Sequence, residues 1–478
     1  MTQPLDIYLL YPPGPLFQRG EDRCQGNIEA SSATSMRACN DLGSGAAIAR
    51  EVGYDVGLRD YQTERATCED VWDDLARLNP RMVVISTTNA TIYDDLAFVA
   101  KLRAYHDCFV VLKGAIFYDA PTRVIDELDL SHVDYLIGGE IDYCLVSIAN
   151  HALRDEGDIT AADGIYYKAS DGAMTPTRFG CYHDTLDDLP FPARDLMNND
   201  LYVRPDTGEP MATIQTSRGC SSGCVFCPSP LLSGTRIRYR SSENVLAELT
   251  ECYEDYDIRN FFFKADTFTM NGEWARELCA LIQTSPLAGK IAFTANSRSK
   301  PLDCATLQAM KDAGCWMIAF GFESGSDETL RRMCKGATVA DNRQAMEWAR
   351  EVGLSVFGFS LVGLPWETVD DLAKTRAHIF ELDADFIEIH IALPYFGTPL
   401  YNLCREAGVL ENQPLGADYF NSAITGTETL TLAYIEEWRA QVLRSYYLRP
   451  RYIIRRAIEM LCDPRKIAGY VRYGLRLL

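Results

Sequence analysis

Residues 218–227 read Arg218-Gly219-Cys220-Ser221-Ser222-Gly223-Cys224-Val225-Phe226-Cys227, with three cysteines separated by three and then two residues. The stretch follows Ala212–Thr216, an apolar run typical of a β-strand. Three thiolates suit a cubane iron–sulfur cluster that leaves one iron open to another ligand. Gly219 and Gly223 allow the loop to curl around such a cluster. Zinc normally takes four ligands, so a three-ligand zinc site and three merely buried cysteines remain the alternatives.

The segment that begins at this loop alternates short apolar runs with helical patterns. Helical periodicity separates consecutive runs, which is typical of parallel βα units. Six such repeats predict a partial (β/α)6 barrel of the TIM type, whose carboxyl strand ends carry binding and catalytic residues. The predicted strands are Ala212–Thr216, Asn260–Lys264, Ile291–Asn296, Trp316–Phe320, Ser355–Val362 and Phe386–Ile391.

The first third of the chain has the same alternation, with five βα units. Apolar strands followed by helices predict a doubly wound, Rossmann-like parallel sheet with helices on both faces. Such sheets bind ligands at the carboxyl ends of their strands. The predicted fold class is therefore α/β, with a Rossmann-like domain over 1–155, a connector over 156–205 and a barrel over 206–405. A helical C-terminal region with a basic tail follows over 406–478.

The motif Cys220-x-x-x-Cys224-x-Phe226-Cys227, placed after the first strand of a partial barrel, resembles the radical S-adenosylmethionine (SAM) superfamily. The resemblance implies that the three cysteines hold a catalytic [4Fe–4S] cluster whose open iron chelates SAM. An electron from the cluster then cleaves SAM to a 5′-deoxyadenosyl radical. Residues at the strand ends also match the superfamily, and each has a structural alternative such as a helix cap or an ion pair. The residues expected to contact SAM are Phe226, Asp266, Asn296, Arg298, Glu323, Ser324 and Gly358.

The domain order resembles the cobalamin (B12)-binding branch of this superfamily, which includes the class B methyltransferases. Tyr11-Pro12-Pro13, the run 133–140, the run 394–400 and Tyr447-Leu448-Arg449-Pro450 are similar to that branch. None of the six histidines stands in a DxHxxG motif, so the cobalamin is expected to lack a histidine lower ligand. A domain that has lost its cofactor is the alternative. The residues expected to contact cobalamin are Tyr11, Pro12, Ser86, Thr87, Thr88, Gly114, Gly138 and Glu140.

The resemblance implies three functional hypotheses. The first is methylation of an unactivated carbon, in which one SAM methylates cobalamin and a second supplies the radical. The second is a radical rearrangement or oxidative cyclisation, as in the anaerobic porphyrin-ring cyclase of the same branch. The third is a non-catalytic cobalamin or iron–sulfur sensor. The expected partners are an electron donor such as flavodoxin or ferredoxin and a small-molecule, lipid or natural-product substrate.

Charge is distributed unevenly along the chain. The formal net charge is −21, which disfavours nucleic acid as a partner. Residues 439–478 contain ten basic and two acidic residues, which gives +8 and leaves −29 for the remainder. Interleaved apolar residues predict either an amphipathic helix packed on the acidic barrel or peripheral contact with an anionic membrane. No basic leader and no apolar run of about 18 residues is evident, so we expect a cytoplasmic protein.

Overall fold

The computed structural model of the chain describes residues 3–19, 26–31, 35–118, 124–412, 414–420, 422–427 and 429–476. Two parallel sheets flanked by helices account for most of these residues, which confirms the predicted α/β class. Within the described ranges, no helix is long and apolar enough to span a bilayer.

The first sheet has the strand order β2-β1-β3-β4-β5-β6-β7. Its first five strands are parallel and largely buried, as expected for a sheet covered on both faces. The core on one face includes residues of α1 and α4, and the core on the other includes residues of α2 and α3. The strands are β1 (Ile7–Tyr11), β2 (Val56–Asp60), β3 (Met82–Thr87), β4 (Phe109–Gly114), β5 (Tyr135–Ile137), β6 (Ile165–Lys168) and β7 (Met174–Pro176). The helices are α1 (Asn40–Glu51), α2 (Cys68–Leu78), α3 (Ile92–Tyr105) and α4 (Ile141–Arg154).

Part of the segment predicted as a connector belongs to this sheet. β6 pairs with β5, and β7 pairs with β6, both in antiparallel orientation. The turn between them contains Gly172 at φ +85°, a conformation that L side chains rarely adopt. The first domain therefore extends beyond residue 155 to about Pro176, because this hairpin completes the sheet at its β5 edge. Only the remainder, which forms short turns and irregular structure, connects the two sheets.

The second sheet is an open, all-parallel barrel in the order β8-β11-β12-β13-β14-β15. A two-stranded antiparallel ribbon of β9 and β10 flanks the cysteine loop. The strands are β8 (Met211–Gln215), β9 (Ser217–Arg218), β10 (Arg238–Tyr239), β11 (Asn260–Lys264), β12 (Ala292–Ser297), β13 (Cys315–Glu323), β14 (Ser355–Val362) and β15 (Phe386–Ile391). The helices are α5 (Ser229–Ser233), α6 (Ser242–Tyr256), α7 (Gly272–Thr284), α8 (Cys304–Asp312), α9 (Asp327–Arg332), α10 (Val339–Glu351), α11 (Val369–Leu382) and α12 (Pro399–Glu406). Capping boxes start α2, α10 and α11.

Side chains from outside the barrel cover both of its open edges. At β8, the carbonyl of Thr213 accepts hydrogen bonds from Asn40 of α1 and from Arg194 of the connector. At β15, the Tyr447 hydroxyl accepts from the amide of Ile387 at 2.8 Å and donates to its carbonyl at 2.6 Å. An unpaired strand edge would otherwise present free backbone groups for aggregation. The cover at β15 comes from α13 (Leu432–Tyr447), which is followed by two further C-terminal helices, α14 (Pro450–Cys462) and α15 (Lys466–Arg476).

Candidate active site

The three cysteines lie on the loop between β9 and α5. Cys220 and Cys224 are buried, and Cys227 is half-buried. The amide of Cys220 donates to the carbonyl of Gly234, and the amide of Cys227 donates to the carbonyl of Cys224 at 3.2 Å. The loop is therefore closed on itself and fixed to the end of α5, which holds the three thiols in a defined arrangement.

Glycine is required at one of the two loop positions. Gly219 has φ +94°, and a Cβ there would lie 2.3 Å from the carbonyl oxygen of Arg236. Real Cβ atoms do not approach backbone that closely, so any other residue would force the ribbon strands apart. Gly223 has open space around its Cα. Of the two glycines expected to let the loop curl around a cluster, only Gly219 is required on steric grounds.

A cavity of about 140 Å³ lies at the carboxyl ends of the barrel strands, where TIM-type barrels place their active sites. Its wall contains all three cysteines. It also contains most of the residues predicted to contact SAM, and these come from the cysteine loop and from the ends of β11, β12 and β13. The predicted residues that line the cavity are Phe226, Asp266, Asn296, Arg298 and Glu323.

Charged groups in this wall are paired and largely buried. Arg298 donates from Nη1 to Sγ of Cys224 at 3.2 Å. The Glu323 carboxylate forms an ion pair with Lys335 at 2.6 Å, and both side chains are at most 10% exposed. Glu323 also has φ +62°, a conformation that is costly for a non-glycine residue and that recurs at functional sites. A cationic side chain thus touches a thiol, and a carboxylate is held in a fixed position nearby.

Two residues predicted to contact SAM do not line the cavity. Side chains alternate along a strand, and Phe359 and Leu361 of β14 point into the cavity. Gly358 therefore faces the other way, and a Cβ there would meet the ring of Phe322 at 3.1 Å. Ser324 is fully buried beyond the end of β13, where its hydroxyl lies 3.0 Å from that of Thr375. Direct contact of either residue with SAM stays a prediction, and the positions that the two residues occupy do not face this cavity.

Other residues of the cavity were missed in the sequence. His390 of β15 stacks on Phe359 at 5.4 Å between ring centroids and meets the edge of the Tyr419 ring at 4.7 Å. Alternation along β14 and β15 was a signal that could have found Phe359 and His390. Lys335 and Arg37 carry no such signal, because one lies on the turn after α9 and the other precedes α1 in the first domain.

The carboxyl edge of the first sheet carries a buried polar network beneath its surface. The Tyr11 hydroxyl donates to Asp41 at 2.7 Å, and Lys113 forms an ion pair with the same carboxylate at 2.8 Å. Burial, together with Asp41, raises the pKa of Tyr11 well above its usual range. Ser86 is 3.4 Å from Asp41 through its hydroxyl. These hydrogen bonds occupy Tyr11 and Ser86 within the domain.

Thr87 and Thr88 are engaged in the same way. The Thr87 hydroxyl donates to Asp95 at 2.5 Å, and Arg19 forms a buried ion pair with Asp95 at 2.8 Å. The hydroxyl of Thr88 lies 3.1 Å from that of Thr91, so the two pair within the turn that starts α3. Pro12 is buried directly after β1. The five residues before β4 that are predicted to contact cobalamin are therefore buried and packed within the first domain.

The other predicted residues do face the barrel. Gly114, Gly138 and Glu140 line a narrow cleft whose opposite wall is Leu232 and Ser233 of α5. A second cleft of similar size, about 10 Å³, lies between the residues after β4, the end of the cysteine loop and the loop after β15. Asn89 lines that cleft, and its buried Oδ1 has no hydrogen-bond partner. The short helix that follows Cys227 thus lies directly against the ligand-binding edge of the first sheet.

Glu140 is part of a charge network between the two domains. Its carboxylate pairs with Arg238 at 2.5 Å and with Arg218 at 3.3 Å, while Arg218 also pairs with Asp142. All four side chains are at most 7% exposed. Arg218 and Arg238 are paired residues of the ribbon beside the cysteines. Glu140, expected from the sequence to contact cobalamin, therefore holds the cluster loop against the first domain.

The donor set fits a four-iron cluster. In a cubane, each thiolate binds a different iron, so three cysteines around one cavity need not converge on a point. Across the described ranges, no three His, Cys, Asp or Glu side chains converge as a single-ion site would require. For a corrin, the glycines at the carboxyl edge of the first sheet and the unpaired Oδ1 acceptor of Asn89 are suitable contacts. Both clefts are narrow, so a corrin would fit only if α5 moved away from this edge.

The fold and the cysteine loop together define an α/β enzyme with a three-cysteine cluster site inside an open parallel barrel. Residues 214–379 match the model of the Radical SAM superfamily. The uncharacterized methyltransferase PH0819 of Pyrococcus horikoshii is 30% identical over 412 residues, which cover 85% of this chain and 87% of that protein. The chain therefore belongs to the radical SAM superfamily.

More distant relatives share the same two-domain span. Cytidylyl-2-hydroxyethylphosphonate methyltransferase of Streptomyces wedmorensis is 23% identical, over 85% of this chain and 82% of that enzyme. The structure of the radical SAM methyltransferase TsrM from Kitasatospora setae, with cobalamin and a [4Fe–4S] cluster bound, matches 86% of this chain and 76% of its own with a TM-score of 0.68 at 17% identity. The cobalamin-dependent enzyme OxsB matches 98% of this chain and 72% of its own with a TM-score of 0.72 at 15% identity. These two likenesses concern the fold.

Proposed function

We propose that this chain is a cobalamin-dependent radical SAM enzyme that methylates an unactivated carbon. One observation carries the proposal: the three cysteines and the polar ends of three barrel strands form one cavity, and the helix that leaves this cavity lies against the ligand-binding edge of a Rossmann-like sheet. When bound, the cluster and SAM supply a 5′-deoxyadenosyl radical, and a corrin supplies a methyl group for transfer to a carbon radical.

The chain's own residues hold and shield the reactants. Cys220, Cys224 and Cys227 hold the cluster, and the Arg298 guanidinium stabilises thiolate charge at Cys224. The fixed Glu323 carboxylate offers an acceptor for the hydroxyl or ammonium groups of SAM, and Asp266 and Asn296 add further polar contacts along the same wall. Burial of these groups strengthens each hydrogen bond and keeps water from a radical site.

The opposite wall of the cavity supports an apolar or aromatic substrate carbon. Phe359, Leu361, Ile391 and Leu393 line it, with Tyr395 above. Such a wall binds an apolar body by burying its surface, which suits a small-molecule, lipid or natural-product substrate. We also propose that a flavodoxin or ferredoxin supplies the electron.

The relatives support the methyl-transfer part of the proposal. Two of the similar proteins over most of this chain are named methyltransferases, and TsrM, which shares the fold, contains cobalamin. The cobalamin is proposed without a histidine lower ligand, because the described residues that line the two clefts include no histidine.

The test combines composition with product counting. Protein purified and reconstituted anaerobically should contain four irons and a corrin, and turnover should yield S-adenosylhomocysteine together with 5′-deoxyadenosine. Cys224→Ala should lose the iron, whereas Cys279→Ala, a buried cysteine of the barrel core, should keep it. 5′-Deoxyadenosine alone would indicate rearrangement or cyclisation, and no SAM cleavage by the loaded protein would indicate a sensor.

A further inference from the structure

The two last helices expose a stripe of large aliphatic side chains. On α14, Ile454, Ile458 and Leu461 are spaced four and three residues apart and are 59%, 55% and 83% exposed. On α15, Ile467 and Val471 are four residues apart and are 47% and 51% exposed. Residues with this spacing share one side of a helix. We call these five residues the tail face.

Exposed aliphatic residues are concentrated in this segment. Among the described residues, fifteen large hydrophobic side chains are well exposed, and seven of them lie between Leu448 and Val471. Single exposed hydrophobic residues are common on soluble proteins, but a contiguous patch marks an interaction surface. The packing of the C-terminal region on the barrel does not account for the patch, because other residues make those contacts: Tyr446 and Tyr447 of α13, and the buried Tyr452 of α14.

The body of the protein neutralises much of the positive charge of the tail. Arg439, Arg449 and Arg456 form ion pairs at 2.9 Å, and their partners are Glu388, Asp383 and Asp385 respectively. This confirms the packing of the basic tail on the acidic barrel. Other arginines of the tail are exposed, and two of them, Arg451 and Arg472, lie within one helical turn of tail-face residues.

These two arginines flank the tail face. The Arg451 side chain is 89% exposed, with only a 3.9 Å contact to a carboxylate that Arg449 holds more closely. Arg451 lies one helical turn before Ile454, and Arg472, which is exposed, follows Val471. The surface thus combines exposed aliphatic side chains with two exposed arginines.

The tail face lies at the end of the barrel opposite the cysteine cavity. Gly469 of α15 packs on the backbone of Asp206, which precedes β8, and Tyr470 meets Phe386 at the start of β15. Both contacts are at the amino ends of parallel strands, whereas the cavity is at the carboxyl ends. A partner bound to the tail face would therefore leave the mouth of the cavity free.

We propose that the tail face docks onto an anionic phospholipid membrane. Aliphatic side chains on one face of a helix, flanked by arginines, suit the boundary between acyl chains and negatively charged headgroups. The membrane also favours this orientation, since the remainder of the chain carries −29 and is repelled by the same headgroups.

Vesicle co-sedimentation of the full chain tests the proposal. The wild-type protein should bind vesicles of phosphatidylcholine with about one-third phosphatidylglycerol, bind pure phosphatidylcholine weakly, and release at high salt. I454S/I458S/L461S should weaken binding at least about tenfold. R451E/R472E should weaken it by more than about fivefold per arginine, since each arginine near an anionic surface contributes about that factor.

A matched triple variant controls for general effects. Val52, Val369 and Leu403 are aliphatic residues of comparable exposure elsewhere, and V52S/V369S/L403S should bind as the wild type does. Far-UV circular dichroism should match for all variants. The proposal is overturned if the wild type does not sediment with the anionic vesicles, or if both triple variants bind equally. It is also overturned if sedimentation equilibrium shows a wild-type dimer that I454S/I458S/L461S dissociates without a change in vesicle binding.

Discussion

Replacing Glu140 with glutamine separates two roles for this carboxylate. In the structure it balances two buried guanidinium groups, those of Arg218 and Arg238, together with Asp142. Glutamine keeps the size and one acceptor but leaves the network with two positive charges and one negative charge. Removing one partner of a buried ion pair costs about 3–5 kcal/mol, because the remaining charge stays desolvated. We expect E140Q to lower the free energy of unfolding by that amount.

The assay is urea denaturation followed by tryptophan fluorescence, with iron content measured after anaerobic reconstitution. Asp195→Asn is the matched control, because Asp195 also links the connector to the first domain, through Arg50, but both side chains are at least 37% exposed. Such exposed pairs contribute about 0–1 kcal/mol. E140Q should lose stability and iron while D195N keeps both. If E140Q unfolds at the same urea concentration as D195N and loses only corrin affinity, the proposed role of Glu140 in stabilising the charge network is refuted.

Three further changes test the site. Gly219→Ala should sharply reduce iron incorporation, because the left-handed backbone and the blocked Cβ position at residue 219 cost about 1–3 kcal/mol. Gly223→Ala should incorporate iron normally, since the space around Gly223 is open. Equal iron contents in the two variants would refute the steric argument. Arg298→Ala removes a cationic donor from Sγ of Cys224 and should lower the reduction potential of the cluster by about 60 mV, as measured by an electron paramagnetic resonance titration; an unchanged potential would contradict this. Burial raises the pKa of Glu367 to about 8, so the Glu367 carboxyl stays protonated in the folded state at neutral pH. The stabilisation that this proton gives is complete below about pH 4.5 and is lost as pH rises through 8, a change of at most about 5 kcal/mol in the unfolding free energy. Glu367→Gln should flatten this pH dependence.

The local pattern of apolar residues was enough to predict the two series of βα units. The apolar runs predicted all six barrel strands to within a few residues, because a buried parallel strand needs continuous apolar side chains wherever it lies. The largest difference in the barrel is β13, which continues from Cys315 to Glu323, past the predicted end at Phe320. The β6–β7 hairpin was missed because two short, half-buried strands leave little periodicity to detect.

A residue's position along a strand was enough to predict which side chains share the cavity. Asp266, Asn296 and Arg298 lie at or just after strand ends, and parallel strands bring those ends to one edge, so the three line one cavity. Gly358 does not line this cavity, because the side of β14 that a residue occupies, and not its distance from the strand end, determines what it faces. Lys335 was missed because its place in the site depends on its ion pair with Glu323, and the sequence does not show which residue pairs with Glu323.

From the sequence alone come the cysteine spacing, the two series of βα units and the domain order, since each depends on residues close together in the chain. The tertiary structure alone decided which charges meet. Glu140 and Arg238 are 98 residues apart and Arg19 and Asp95 are 76 apart, yet each pair is buried in contact. A pairing of this kind depends on how whole elements pack, and a buried charge accepts only the partner that packing brings within reach, so no local pattern records it.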